Sequence, residues 1–181
     1  FDWSAAFGVP VKVMNDAAMQ ALGSDEGGRM LFLGLGSGLG TALVDEGRVV
    51  ALELAHLPFR DKTFEDLLGK RGLEALGEDR WRATVLEGAE LLRAAVAAEY
   101  VVLGGGNARL FTGLPPRFRL GHNDKAFEGG FRAWDEATGA SDEPAPSCQP
   151  RDTASNWSRS SFSVNADQSR LLISMAIPAV A

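Results

Sequence analysis

The sequence has few of the residues that build disulfides and metal clusters. Among its 181 residues there is a single cysteine, Cys148, and there are only two histidines. One cysteine cannot form an internal disulfide, and this set of residues cannot assemble a Cys/His zinc cluster. We therefore expect a protein of a reducing compartment, the cytoplasm, without a structural metal site.

Excess positive charge and long apolar runs are absent as well. Lys and Arg number 18 against 24 Asp and Glu, which gives a formal net charge of −6. Without a positive field, the chain is not expected to bind nucleic acid. No run approaches the roughly 18 apolar residues of a membrane span, so no membrane partner is expected. Phe1-Asp2-Trp3 resembles neither a signal peptide nor an initiator methionine, and we expect the chain to begin within a longer protein.

Apolar residues and glycine are abundant. Apolar residues make up 45% of the chain, and 21 residues are Gly. This composition is typical of an α/β protein whose loops pass close to a ligand. The composition changes near Thr138, because residues 141–169 are rich in Ser, Pro, Asp and Asn and have no apolar period. We therefore predict a folded domain over residues 1–137 and a disordered tail over 138–181.

Strands that meet glycine turns organise the predicted domain. Residues 30–33 form a buried strand that enters the glycine-rich run 34–40, and residues 41–44 leave that run as a second strand. A turn then leads to a third strand over 48–54, which completes a predicted β-meander. A further buried strand over 100–103 enters a second glycine turn.

Helices are predicted between these strands. A strand ending at Asn15-Asp16 is followed by helical composition over Ala17–Leu22, and a last helix is expected over 123–134. Thr63 and Asp66 have the spacing of a capping box ahead of two short helical segments. A longer helix carries an apolar stripe that should pack on the sheet. Its members are Trp81, Val85, Ala89, Leu92 and Val96.

The glycine-rich run over 34–40 is a candidate phosphate cradle. Glycine reaches positive φ and has no Cβ, so consecutive backbone N–H groups can point at an anion. The run lacks the Gly-Lys-Ser/Thr ending of a nucleotide P-loop, and it leads into a strand. A tight hairpin with glycines chosen for twist is the alternative. The second glycine turn, Gly104 to Gly106, has the same two interpretations.

A few polar side chains could carry chemistry. Asp16 opens a helix, where a carboxylate is either an N-cap or a general base that reaches into a cleft. Glu53 and His56 lie three residues apart at the end of a strand. The pair can hold adjacent hydroxyls of a sugar or belong to a surface loop. For His122, in a polar loop, a structural role is preferred.

Four motifs, taken in order, resemble the ROK family of sugar kinases, and within it the polyphosphate glucokinase branch. Residues 62–77 and 126–132 carry the resemblance to that branch, and the similarity covers about residues 9–136. The four motifs are Val13-Met14-Asn15-Asp16-Ala17-Ala18, Leu33-Gly34-Leu35-Gly36-Ser37-Gly38-Leu39-Gly40, Glu53-Leu54-Ala55-His56 and Val101-Val102-Leu103-Gly104-Gly105-Gly106-Asn107.

The resemblance implies an α/β fold, the C-terminal lobe of an actin-like ATPase (ribonuclease H-like) sugar kinase, with the N-terminal lobe absent. Asp16 would be the catalytic base for the 6-hydroxyl of glucose or a similar hexose, and Asn15, Glu53 and His56 would bind hydroxyls. The donor would be polyphosphate or ATP, with Mg²⁺ bridging its phosphates, and a homodimer is the expected assembly. The implied donor-binding residues are Gly36, Ser37, Gly38, Gly40, Gly104, Gly105 and Gly106.

The sequence also departs from the family pattern. Ser37 stands where Thr is usual, and Ala55 replaces the Gly of a Glu-x-Gly-His motif. The cysteine-rich zinc motif is absent, and so is the Asp-x-Gly-Gly-Thr donor-phosphate loop of the first lobe. We therefore expect a glucokinase whose chain is incomplete and inactive alone. The alternative is a non-catalytic sugar-binding lobe, either a relic or a sensor of the type found in the family's repressors.

Overall fold

The computed structural model describes residues 1–135 and two later strands, 163–167 and 170–175. The strands are β1 (Val11–Asn15), β2 (Arg29–Leu35), β3 (Leu39–Asp45), β4 (Arg48–Leu52), β5 (Pro58–Phe59), β6 (Lys62–Thr63), β7 (Tyr100–Gly104), β8 (Phe118–Leu120), β9 (Ser163–Asp167) and β10 (Arg170–Met175). The helices are α1 (Trp3–Phe7), α2 (Asp16–Ser24), α3 (Phe64–Leu68), α4 (Lys70–Leu76), α5 (Glu78–Ala95) and α6 (Lys125–Arg132).

A mixed five-stranded sheet in the order β4-β3-β2-β7-β8 forms the centre of the fold. Strands β2, β3 and β4 pair antiparallel, which confirms the predicted β-meander. Strand β7 pairs parallel with β2, and Gly34 lies opposite Gly104 in this register. Because parallel neighbours end at the same edge of a sheet, both glycine turns lie at that edge.

Helices cover both faces of this sheet. Successive side chains of β2 point to opposite faces, so Leu31 and Leu33 pack against α5 while Met30 and Phe32 pack against α2. The predicted stripe of α5 is confirmed, because Trp81 and the three stripe residues after it are all buried, and Val96 is partly buried against the same core. The α/β fold with two helical layers agrees with the expected one.

Helix α6 lies across α2 at very short range. A Cβ on Gly23 would lie 1.8 Å from the Lys125 carbonyl oxygen, and a Cβ on Gly129 would lie 1.8 Å from the Met19 carbonyl oxygen. The two backbones therefore touch, and only glycine fits at these two positions. Helix α6 is shorter than the predicted span of 123–134.

Two strands, β9 and β10, lie within the span predicted as a disordered tail. Strand β10 pairs parallel with β1, and β9 pairs antiparallel with β10. Residues 171–173 are Leu-Leu-Ile, which suit a strand, and β1 otherwise offers unpaired backbone groups. The other residues of 136–181 lie outside the described ones, so the domain boundary at 137 stays a prediction. Within the described residues, no helix is both long enough and apolar enough to cross a membrane.

Candidate active site

A cleft of about 730 Å³ opens where β2, β7 and the start of α2 meet. This edge of the sheet is where open α/β folds bind ligands, because strand ends and helix starts converge there. Most of the predicted site residues share this cleft, although the sequence separates them by up to 90 positions. The predicted residues that line it are Asn15, Asp16, Gly36, Ser37, Gly38, Gly40, Glu53, His56 and Gly105.

The hydrogen bonds at the start of α2 bear on whether Asp16 is the N-cap or is left to face the cleft. The N-cap is Asn15, whose Oδ1 accepts hydrogen bonds from the backbone N–H groups of Ala17 at 2.8 Å and Ala18 at 3.2 Å. Asp16 is the first helical residue, and its Oδ1 accepts a bond from Ala17 N at 2.8 Å. The helix therefore has a cap without Asp16, and the Asp16 carboxylate lines the cleft.

The glycine-rich turn differs from the predicted cradle in one respect. None of its glycines has a positive φ, so left-handed backbone is not what they provide. Gly40 instead allows close packing, because a Cβ there would lie 2.9 Å from the Ala17 Cβ, and Gly36 faces open space. The turn is closed by a hydrogen bond from Gly36 N to Gly38 O of 3.1 Å. Absence of side chains, rather than unusual φ, leaves this backbone accessible to a ligand.

The second glycine turn is attached to the first. Gly105 has a φ of 79°, and a Cβ there would lie 2.6 Å from the Leu35 carbonyl oxygen. Asn107 Nδ2 donates to Gly36 O at 3.2 Å. Gly104 belongs to β7 and packs against the Phe32 ring, and Gly106 opens a 3-10 turn; neither lines the cleft. Of this predicted trio, only Gly105 faces the cleft.

Glu53 and His56 lie on the segment that follows β4. Their side chains are 80% and 61% exposed, and Glu53 Oε2 lies 3.8 Å from His56 Nε2. The buried Thr41, which sequence reasoning missed, fixes this segment: its Oγ1 donates to Leu52 O at 2.6 Å and accepts from Leu54 N at 3.2 Å. The segment is thus held through its backbone, while the Glu53 and His56 side chains stay exposed.

The cleft carries negative charge. Asp16, Glu53 and Glu65 line it, whereas none of the described lining residues is Lys or Arg. Glu65 was also missed from the sequence; its side chain is 15% exposed and pairs with Arg71 at 3.2 Å. A Cβ on Gly38 would lie 2.9 Å from Glu65 Oε2, so this carboxylate borders the glycine turn. A phosphate chain would need a cation to enter this cleft.

Mg²⁺ suits these residues. Among the described residues, no group of three or more His, Cys, Asp or Glu side chains is placed to hold a metal ion. Mg²⁺ does not need such a group, because it keeps several waters and is commonly bound through one or two carboxylates together with substrate phosphates. Two cleft carboxylates could bind Mg²⁺ in this way. Asp16 lies at the start of α2, and Glu65 borders the glycine turn.

Comparison with known proteins bears on the fold. No protein-family model matches the sequence, and no curated protein matches it. Among solved structures, the inorganic polyphosphate/ATP-glucomannokinase from Arthrobacter sp. strain KM superposes with a TM-score of 0.59 at 24% identity, over 70% of this chain and 57% of that one. A ROK hexokinase from Thermus thermophilus gives 0.52 at 22% identity, over 70% and 65%. The fold is that of the ROK sugar kinases.

A third ROK-fold structure extends the comparison. The ROK family protein from Streptococcus pneumoniae, determined in complex with sucrose, has a TM-score of 0.57 at 16% identity over 74% of this chain and 70% of that one. The chain spans less than two thirds of the length of the first two ROK kinases. The likeness confirms the actin-like ATPase fold predicted from the four motifs.

Proposed function

We propose that this chain forms the sugar-binding half of a glucokinase, which transfers a phosphoryl group from polyphosphate or ATP to the 6-hydroxyl of glucose or a similar hexose. One observation carries the proposal: Asp16 lines the same cleft as Glu53, His56 and the glycine turns, while Asn15 caps the helix in its place. A hexose is the proposed ligand, with a homodimer as the assembly, a cytoplasmic location, and neither nucleic acid nor a membrane as a partner.

Each residue has one simple role in the proposed chemistry. Asn15, Glu53 and His56 hold the sugar hydroxyls, and the 6-hydroxyl oxygen forms a new bond to the terminal phosphorus as the bond from that phosphorus to the leaving phosphate breaks. The hydroxyl proton passes to the Asp16 carboxylate. Alignment supplies most of the acceleration, so one correctly placed carboxylate is sufficient.

The donor would lie along the glycine turns. Gly36, Gly38 and Gly105 line the cleft, and Gly36 faces open space, so the backbone of the first glycine turn is accessible to its phosphates. When bound, Mg²⁺ would supply positive charge against the phosphates in a cleft that otherwise carries carboxylates. The Ser37 hydroxyl is exposed and can donate a hydrogen bond to the same phosphates.

The test uses this chain joined to a first lobe that carries the missing donor-phosphate loop. Asp16→Asn keeps the size of the side chain but cannot take the proton, so kcat should fall by about 10² to 10⁴ with little change in KM for glucose. A spectrophotometric assay of glucose 6-phosphate measures both parameters. A near-normal kcat in a folded Asp16→Asn enzyme would remove Asp16 from the mechanism.

The chain by itself provides a second arm of this test. A sugar kinase reacts between two lobes that close and exclude water, so the purified 181-residue chain should show no glucose phosphorylation above a blank preparation. Activity of the chain alone would contradict the two-lobe proposal. If the joined protein binds glucose yet never phosphorylates it, the non-catalytic sugar-binding alternative replaces the kinase.

A further inference from the structure

Gln20 lies one helical turn after Asp16 and lines the same cleft. Residues four apart on a helix lie on one face, so the Gln20 amide is directed to the same side of α2 as the Asp16 carboxylate. Gln20 Oε1 would lie 3.5 Å from a Cβ on Gly104, the residue that leads into the second glycine turn. The amide is thus placed at the donor end of the proposed site.

This amide has no hydrogen-bond partner among the described residues. Its Oε1 is buried and unpaired, and no other described residue bonds to the side chain. A buried amide oxygen without a partner lowers stability, and an apolar side chain of the same shape would avoid that cost. An unsatisfied polar group calls for an explanation, and for one that lines a cleft a bound ligand is such an explanation.

The chemistry of the cleft indicates which ligand. With Asp16, Glu53 and Glu65 along its walls and no Lys or Arg among the described lining residues, an anion there enters with a cation and takes its protein hydrogen bonds from neutral donors. A primary amide offers two N–H donors, and rotation about its last bond exchanges the donor and acceptor ends without a change of shape. A phosphate chain carries the oxygen acceptors that such a donor requires.

We propose that Gln20 is a donor-binding residue whose amide hydrogen-bonds a phosphate oxygen of the phosphoryl donor beside Gly105. The inference rests on the proposed function for the identity of the ligand, a phosphate chain complexed with Mg²⁺. Inorganic polyphosphate and ATP share this chain, and the two titrants below distinguish between them. Gln20 therefore affects donor affinity and leaves the sugar contacts of Glu53 and His56 unchanged.

Ser24 provides a matched control. Its Oγ is also buried without a partner, and it lies one further turn along α2, but it does not line the cleft. Ser24→Ala and Gln20→Met both remove an unpaired buried polar atom from the same helix. Both variants should be at least as thermally stable as the wild type, whereas only Gln20→Met should weaken donor binding.

The experiment titrates the 181-residue chain, with MgCl₂ present, first with inorganic tripolyphosphate and then with a non-hydrolysable ATP analogue, and follows amide chemical shifts by NMR. Wild type and Ser24→Ala should bind alike, and Gln20→Met should bind about tenfold more weakly or worse. Gln20→Glu, which keeps the size and adds a like charge, should bind more weakly still. A response to only one titrant would identify the donor that the amide serves.

Three results would overturn the assignment: equal affinity in wild type and Gln20→Met, no titration of the wild type by either compound, or a Gln20→Met chain that melts well below the wild type. The last result would make Gln20 a structural residue. Donor binding that depends on Gln20, in a joined two-lobe protein without kinase activity, would instead contradict only the proposed function.

Discussion

At the scale of single residues, the buried hydroxyl of Thr41 fixes the position of the segment that carries Glu53. It is 3% exposed, and its two hydrogen bonds reach the backbone on either side of Glu53. Valine has nearly the same shape but would leave Leu52 O and Leu54 N without these partners. The position of Glu53 therefore depends on a side chain that does not need to touch the sugar.

We expect Thr41→Val to lower the free energy of unfolding by about 1–3 kcal/mol. In the joined two-lobe protein it should also raise KM for glucose about fivefold while kcat changes little. The reason is that Glu53, which Thr41 positions, is proposed to hold the sugar both before and during the reaction. Thr41→Ser keeps the hydroxyl and should restore KM. Denaturant titration and steady-state kinetics measure these quantities, and an unchanged KM in Thr41→Val would show that Glu53 is positioned by other means.

The structure brings most of the predicted site residues into one cleft, while their local geometry differs from the prediction. Asn15, Asp16, Glu53 and His56 do share a cleft, because each lies at or just after the end of a strand, a position that a sequence pattern reveals. Thr41, Gln20 and Glu65 were missed. Their surroundings include neighbours distant in the sequence, such as Leu52 and Gly104, which no local pattern reports.

At the scale of helices and strands, the crossing of α2 and α6 depends on two glycines. A Cβ on Gly129 would lie 1.8 Å from Met19 O, so the helices must separate if this residue gains a side chain. Alanine favours a helix over glycine by up to about 1 kcal/mol. The clash with backbone is larger, because overpacking of this kind costs about 1–3 kcal/mol and a rigid helix cannot give way.

Gly129→Ala should therefore lower the free energy of unfolding by about 1–3 kcal/mol in spite of its better helix propensity. Gly113→Ala is the control, because a Cβ at Gly113 has no atom within 4 Å and should leave stability nearly unchanged. Urea denaturation followed by circular dichroism compares the three proteins. Equal or greater stability of Gly129→Ala would show that α6 is not held against α2 at the distance described.

Long elements were predicted more accurately than short ones. The stripe of α5 and the strands of the meander have enough residues for a period to appear, and both are confirmed. The strands β5, β6 and β8 have two or three residues each, too few for a period, and were not predicted. Strands β9 and β10 were not predicted, because the sequence before β10 is polar and the pairing of β10 with β1 is a contact distant in the sequence.

At the scale of the whole molecule, hydrogen-bonded carboxylates on the surface make the free energy of unfolding depend on pH. A hydrogen bond from Arg29 lowers the pKa of Asp45, one from Thr63 lowers the pKa of Asp66, and one from Arg93 lowers the pKa of Glu90. Each group binds a proton more weakly when folded than when unfolded. The stability they contribute is therefore present above the unfolded pKa and is lost as pH falls through the folded pKa.

The melting temperature should accordingly fall as pH is lowered from about 6 to about 3. Asp66→Asn keeps a hydrogen-bonding side chain beside Thr63 but does not titrate, so its melting temperature should fall less over the same interval. Differential scanning calorimetry at several pH values makes the comparison. A melting temperature that rises on acidification would contradict the sign of these shifts.

Because of the register between β2 and β7, an insertion or deletion within either strand would misalign the two glycine turns. Gly34 stands opposite Gly104, and the Asn107 amide bonds to Gly36 O, so the turns match only while the count of residues along β7 is preserved. A residue added between α5 and β7 would lengthen a connection and leave the turns aligned. A residue added within β7 would exchange its buried faces and move the second turn out of line with the first. Length variation among functional descendants of this chain should therefore be found before Tyr100 and be absent from Tyr100 to Asn107.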